Sequence, residues 1–397
     1  MSQSSGGRFA GLLAQATGRV MEPAHRVEVI RNGAVFDALE TLISSAEKSV
    51  HILMYIWKPG HASDRVLHAI EERRRAGVPV RVVVDQWGSR QGFTTQVQPR
   101  LEELGCEVRL YGTTNTAGSH RKVIVIDGQR GLTGGFGIWD TFLGDGRQPG
   151  EWRDTNVRVD GPVVRFMQQS FLDNWRKAGG PLPPLDELPW PVPAGAIAAA
   201  FIDSSSRNFG GARARELMHL VFSSAKSRLW MSSAYFSPEP PQINALIATA
   251  RANVDVRLLV PGPIHDVPAI REAGRATYRR LLDGGVRLWE YQSSMFHAKT
   301  TVLDEDVCVI GSINLEPLSM NLLEEGSLAF CSSELAAELS RDFEADLAHS
   351  LEITPENIPA PALQPGRNLF RRIATRVIQG LGGRQRGVGP AARTDSG

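Results

Sequence analysis

The chain has 397 residues, 42% of them hydrophobic, 22% charged and 7% aromatic, which fits a globular protein of two or three units and excludes a fibrous or low-complexity one. Its 44 Lys+Arg against 43 Asp+Glu leave a net charge of +1, so no global field draws it to nucleic acid or lipid, and an anionic partner must be caught locally. Three cysteines (Cys106, Cys308 and Cys331) form no CxxC pair, which argues against a disulfide framework or a cysteine zinc site and for a reducing compartment. The longest apolar run, Ala194 to Ile202, is about half of a membrane span, and the N-terminus lacks a continuous signal-peptide core, so the expectation is a cytoplasmic chain that does not cross a membrane.

Residues 1–26 read as an extension that is a candidate for membrane association. From Val27 a strand (Val27 to Arg31) is followed by an amphipathic helix (Ala34 to Lys48) and a buried strand (Val50 to Trp57). Helix Asp64 to Arg75, strand Val78 to Val84, helix Thr95 to Leu104 and strand Glu107 to Tyr111 come next. Two strands, Lys122 to Ile126 and Leu132 to Gly134, are joined by an Asp127-Gly128 turn. Residues 179–195, with six prolines, read as a linker between a first half (27–178) and a second (196–350). The rhythm then repeats: helix Ala212 to Lys226, strand Leu229 to Ser233, helix Gln242 to Ala252, strand Asp255 to Val260 and helix Ala269 to Leu282. Strands Val286 to Glu290, Thr300 to Leu303 and Val307 to Ile310 close the second half. The fold class is α/β: two repeated halves, each a mixed sheet covered by helices.

One short string occurs once in each half. The first copy is His120-Arg-Lys122 with Asp127 and then Gly134-Gly135; the second is His297-Ala-Lys299 with Asp304 and then Gly311-Ser312-Ile-Asn314. Histidine and lysine two apart on a strand leave the same face. With nine His, six Lys and nineteen Asp, one chance HxKxxxxD arises in roughly one such chain in 150, and two are far rarer. A phosphodiester repels nucleophiles, so its transfer needs cations around the phosphoryl oxygens, a nucleophile, and a proton donor for the leaving alkoxide. Two lysines and two histidines supply that set if the halves pack about a pseudo-two-fold axis, and no metal or other cofactor is called for.

These residues resemble the phospholipase D superfamily with its duplicated HKD motif, over about Val27 to Ala348. The flanking segments HRKVIVIDG, WRDTNVRVDGPVV, AYFSP, FHAKTTVLD and GSINLEPLSMNLLEE resemble bacterial cardiolipin synthases, in outline the shorter, peripheral type. The resemblance implies a phosphatidyltransferase that makes cardiolipin from phosphatidylglycerol through a phosphohistidine, with hydrolysis of a phospholipid or a nucleic acid as the alternative. It implies catalytic roles for His120, Lys122, His297 and Lys299, with His120 as nucleophile and His297 as acid, and makes Asp127 and Asp304 supports. Glu325, 28 residues past His297 in the place that orients the motif histidine, and Asp154, its counterpart in the first half, join Gly134, Gly135, Ser312 and Asn314 around the substrate. Gly137 stands where the family has an asparagine, so the first half lacks a polar group expected near the phosphate.

A lipid substrate requires membrane access. In the basic tail (351–397), Arg367 to Leu381 places Leu369, Phe370, Ile373, Val377 and Leu381 on one helical arc with arginines opposite, suited to an anionic membrane surface on the inner face of the cell membrane. The near-neutral core argues against a nucleic-acid groove. His25, His51, His61, His68, His219 and His349 read as surface or satisfied core histidines, and Tyr55 and Tyr235, at matching places, as core packing. His265-Asp266, and Asp85 with Ser89, follow strand ends and stay open between scaffold and site.

Overall fold

Runs of β-branched residues bounded by Gly, Asp and Asn turns set the strands, and the computed structural model describes residues 5–113, 118–205 and 213–358. The first half contributes β1 (Glu22–Arg31), β2 (Val50–Met54), β3 (Val80–Asp85), β4 (Glu107–Tyr111), β5 (Val123–Ile126), β6 (Arg130–Gly134), β7 (Trp152–Arg153) and β8 (Thr155–Asp160). The second contributes β9 (Ile197–Ser204), β10 (Arg228–Ser232), β11 (Asp255–Pro261), β12 (Arg287–Tyr291), β13 (Met295–Phe296), β14 (Thr300–Leu303), β15 (Val307–Gly311), β16 (Glu325–Cys331) and β17 (Ser350–Ile353).

Fifteen strands form one mixed sheet with β9 beside β1 at its centre. Outward from that pair the order is β1-β8-β6-β5-β2-β3-β4 on one side and β9-β16-β15-β14-β10-β11-β12 on the other, the same path twice, with β17 added at one edge. In each half the three outer strands of that path run parallel and the remainder pair antiparallel. The antiparallel β1–β9 pairing sets Glu22 opposite Ala199 and His25 opposite Ile197. The apolar run at 194–202 is therefore mostly the central strand β9, whose Ala199 to Ile202 are buried.

Each half has a core between its strands and helices, and a third core is shared. Val123, Val125 and Val157 of the first half pack with Ile310, Leu328 and Phe330 of the second, together with Phe171 and Trp175 from helix Val164–Lys177. This shared core fixes one half against the other and so fixes the site between them. The N-terminal stretch forms helix Ser5–Thr17, whose Phe9 and Leu13 lie fully buried in the second half's core. The apolar face of this helix is thus occupied by the second half's core. Helix Thr95 to Leu104 is corrected: a wide turn, Phe93–Val97, precedes a short helix, Gln98–Glu103, with Pro99 in its first turn. No helix among the described residues is long and apolar enough to cross a membrane, and the basic segment 367–381 lies outside the described residues.

Candidate active site

His120 and Lys122 lead into β5, and His297 and Lys299 lead into β14. All four are at most 5% exposed. Two-residue spacing sends each pair to one face, and the shared core brings the faces together, so that each lysine acts electrostatically on the other half's histidine. The Lys122 and Lys299 Nζ atoms donate to the carbonyls of His120 and His297 at 2.7 and 2.6 Å, which folds both ammonium groups back beside the imidazoles.

The strands before the motifs pair across the halves. Ser119 bridges Glu324 in parallel, and the two-residue strands β13 and β7 pair Met295 with Trp152 and Phe296 with Arg153. The His120 N–H donates to the Glu324 carbonyl at 2.8 Å and the His297 N–H to the Arg153 carbonyl at 2.7 Å. Each histidine is thereby held beside the residue that follows its partner. His120 Nδ1 lies 3.0 Å from both Glu325 carboxylate oxygens, and His297 Nδ1 lies 3.0 Å from Asp154 Oδ2. The assignment by order along the chain is corrected here: each carboxylate orients the histidine of the opposite half. Nδ1 is engaged in both rings, which directs both Nε2 atoms to the substrate side.

The other expected site residues stand behind this constellation. Asp127 accepts from the backbone N–H groups of Glu47, Lys48 and Ser49, and Asp304 from those of Lys226, Ser227 and Arg228. Both adopt positive φ (53° and 51°) in the hairpin turns and hold the chain entering β2 and β10. Both carboxylates are engaged by backbone, the arrangement that a supporting role requires. Gly134, at φ +154°, would drive a Cβ into Asn156, and a Cβ on Gly135 would fall 2.6 Å from the Asp154 carboxylate. Ser312 donates to Glu325, Ser319 Oγ donates to it at 2.6 Å, and Asn314 Oδ1 accepts from the Tyr235 N–H at 3.4 Å.

Of the residues expected around the substrate, Gly135 and Ser312 are thus engaged by protein, and Asn314 is anchored through its Oδ1. At Gly137 a Cβ would meet Ile56 and Phe142 at 3.1 to 3.3 Å. Apolar packing stands there in place of an asparagine amide, which in the second half binds backbone.

A family profile described as "Cardiolipin synthase, PLD-like domain" matches residues 39–143 and 219–347, one segment in each half. Cardiolipin synthase A of Pseudomonas fluorescens is 32% identical over 346 residues, covering 84% of this chain and 70% of that protein. The chain belongs to the cardiolipin synthase family of phospholipase-D-like proteins. Cardiolipin synthase 1 of Bacillus anthracis is 28% identical, covering 82% of this chain and 67% of its own length. The fold matches the crystal structure of phosphatidylserine synthase from Haemophilus influenzae over 94% of this chain and 99% of that one, with a TM-score of 0.69 at 14% identity.

Burial dominates the electrostatics of this family member's site. It lowers His120 to about 4, with Glu325 opposing and Lys122 assisting, and it lowers His297 well below its ordinary value, with Lys299 and Lys122 assisting. Both imidazoles are thus pushed toward the neutral form near pH 7. Burial also lowers Lys299 to about 8 and raises Asp154 to about 6, whereas His120 and Lys122 hold Glu325 below the usual carboxylate range although burial pushes it up. A phosphodiester between the lysines offsets their charge, which raises the proton affinity of the imidazoles when an acid is required.

Several residues left open in the sequence are placed by the structure. Tyr55 and Tyr235, read as core packing, stand against the motifs instead: the Tyr55 ring centre is 4.7 Å from that of His120, and the Tyr235 centre 5.9 Å from that of His297. The signal available was their shared place just past a strand end. Asp266 accepts from the Tyr235 hydroxyl at 2.8 Å at the edge of the site. Asp85 accepts from the N–H groups of Gly118 and Ser119 and fixes the approach to His120, while Ser89 bonds the backbone of Tyr55 and Trp57. His25 is a satisfied core residue, facing Ile197 and the Val163 N–H, whereas His51 bonds Gln168 through Nδ1 and buries Nε2 without a partner among the described residues.

Proposed function

We propose that the chain is a phosphatidyltransferase that joins two phosphatidylglycerol molecules into cardiolipin and releases glycerol. The observation that carries the reading is the pair of buried imidazoles, each oriented through Nδ1 by a carboxylate of the other half and flanked by two lysines. The names of its relatives supply the substrate class, a phospholipid. With the phosphodiester bound between the lysines, His297 takes up a second proton at Nε2; His120 Nε2 then attacks phosphorus, the bond from phosphorus to the glycerol oxygen breaks, and that oxygen takes the Nε2 proton of His297. A second lipid hydroxyl then returns a proton to His297 as its oxygen attacks phosphorus and the P–N bond breaks. Lys122 and Lys299 stabilise the negative charge on the phosphoryl oxygens in both steps.

The enzyme acts from the cytoplasmic side at an anionic membrane surface, a role supported by the arginine-rich segment 367–381. The test is incubation with phosphatidylglycerol vesicles and mass spectrometry of the lipids, with His120→Ala and His297→Ala as controls. Cardiolipin from the wild type and a loss of at least about 10³-fold in each variant are expected. Phosphatidic acid as the sole product would assign the chain to hydrolysis instead.

A further inference from the structure

The two rims of the site carry opposite charge at matching places. Val80 and Val256 occupy equivalent strand positions, paired with Val50 and Leu229, and ten residues beyond them stand Arg90 and Asp266. On the first-half rim Arg90 lies 4.4 Å over the Trp87 ring, Lys58 lies 3.3 Å over Trp139, and Tyr55 faces Lys122 at 4.8 Å. On the second-half rim Tyr235 faces Lys299 at 6.0 Å and donates its hydroxyl to Asp266 Oδ2.

The other oxygen of that carboxylate has one long contact. His265 Nδ1 lies 3.4 Å from Asp266 Oδ1, but this nitrogen already accepts the Val267 N–H at 2.9 Å, so it carries no proton to give. Among the described residues no other donor reaches Asp266 Oδ1. A partly exposed carboxylate, fixed by a tyrosine that packs on the imidazole of His297, suits a hydroxyl-bearing group and repels a bare anion.

We propose that Asp266 is a specificity-determining residue that accepts a hydroxyl of the glycerol group on the His297 side of the phosphate. This deepens the transferase reading and rests on it. It also gives the site a direction. The alcohol that leaves or enters lies beside His297, which therefore exchanges the proton, and the bond to phosphorus forms at His120 on the cationic rim. A site that hydrogen-bonds an alcohol favours it over water, and loss of such a partner costs discrimination of tenfold or more.

The experiment measures incorporation of isotopically labelled glycerol into phosphatidylglycerol vesicles by the full-length protein. Its rate is taken as a ratio to hydrolysis of a chromogenic phosphodiester whose leaving group has no further hydroxyl. Asp266→Asn, which keeps the shape and a partner for Tyr235, is expected to lower that ratio at least about tenfold, and Asp266→Ala to do the same. An unchanged ratio, with both rates intact or both falling in parallel, overturns the proposal. So does wild-type incorporation of labelled ethanolamine in preference to glycerol, because the carboxylate would then serve an ammonium group. The two readings fail separately: exchange that depends on Asp266 without cardiolipin formation removes the second-lipid acceptor but keeps this assignment. Cardiolipin formation indifferent to Asp266 removes this assignment alone, and a wild type that neither exchanges glycerol nor makes cardiolipin removes both.

Discussion

The two crossings between the halves share a geometry and invert a charge. Beside Glu325 stands Glu324, which accepts from Lys177 Nζ at 3.1 Å, Tyr111 at 2.9 Å and Asn174 at 2.5 Å, with Arg121 at 3.5 Å. Beside Asp154 stands Arg153, bound through two nitrogens to Asp346 at 2.9 and 3.0 Å. Lys177 and Asp346 hold the same place in helices Val164–Lys177 and Ser333–Leu347, each thirteen residues past the first one of its helix. An acid meeting a base on one side has become a base meeting an acid on the other. First half against first half would set Arg153 against Lys177, and second against second would set Glu324 against Asp346. The halves are thus complementary rather than interchangeable, although the chemistry they deliver to the centre is nearly symmetric.

The inversion is unequal in energy, which the largest predicted effect exploits. Arg153→Met leaves Asp346, 5% exposed, without its bidentate partner and is expected to cost about 3–5 kcal/mol. Lys177→Met leaves Glu324 its contacts with Arg121, Tyr111 and Asn174 and is expected to cost about 1 kcal/mol or less. Denaturant unfolding of the two variants checks this; equal losses would mean that the two crossings are energetically alike.

The next effect sharpens the crossing itself. Glu325→Gln and Asp154→Asn are each expected to slow turnover on the order of 10²-fold. The larger loss belongs to Glu325→Gln, because Glu325 is held ionised whereas Asp154 is raised to about 6. Histidine NMR resonances report the wiring. Glu325→Gln should move those of His120 and spare His297, and the reverse pattern would refute the crossed arrangement.

The smallest effect is in pH. Lys299 is lowered to about 8, so its ammonium is lost as pH rises through that value, and phosphoryl charge stabilisation on the second-half side is lost with it. Rates on a soluble diester should therefore fall above about pH 8. In Lys299→Arg, whose charge does not titrate there, the alkaline limb should shrink to the part due to Lys122, which burial also lowers well below its ordinary value; a limb unchanged in that variant would assign it to another group.

Much of this was legible in the sequence because the relevant signals are local. The HxK spacing needs only a strand to set two side chains on one face, and Asp127 and Asp304 need only a hairpin turn. The repeat, with its α/β rhythm, implied one sheet path written twice. Glu325 and Asp154 could be identified as carboxylates that serve histidines, but order along the chain paired each with its own half. Gly134, Gly135, Ser312 and Asn314 were recognised as belonging near the site, yet whether a backbone or hydroxyl group faces substrate or protein depends on its partners in space.

What the sequence determined by itself was the inventory: two strands that each present an imidazole and an ammonium, turns that carry an aspartate, and glycines where a carboxylate or asparagine must approach closely. What only the tertiary structure decided was which residues of one half serve the other. The parallel contacts at Ser119–Glu324 and β7–β13 cross between halves, so hydrogen-bond partners 143 and 205 positions apart meet at 3.0 Å. The burial that pushes both histidines toward the neutral form, and the opposite charges of the two rims, likewise exist only once the shared core has closed. Propensity and periodicity act over a few residues, whereas desolvation and partner choice are properties of the packed whole.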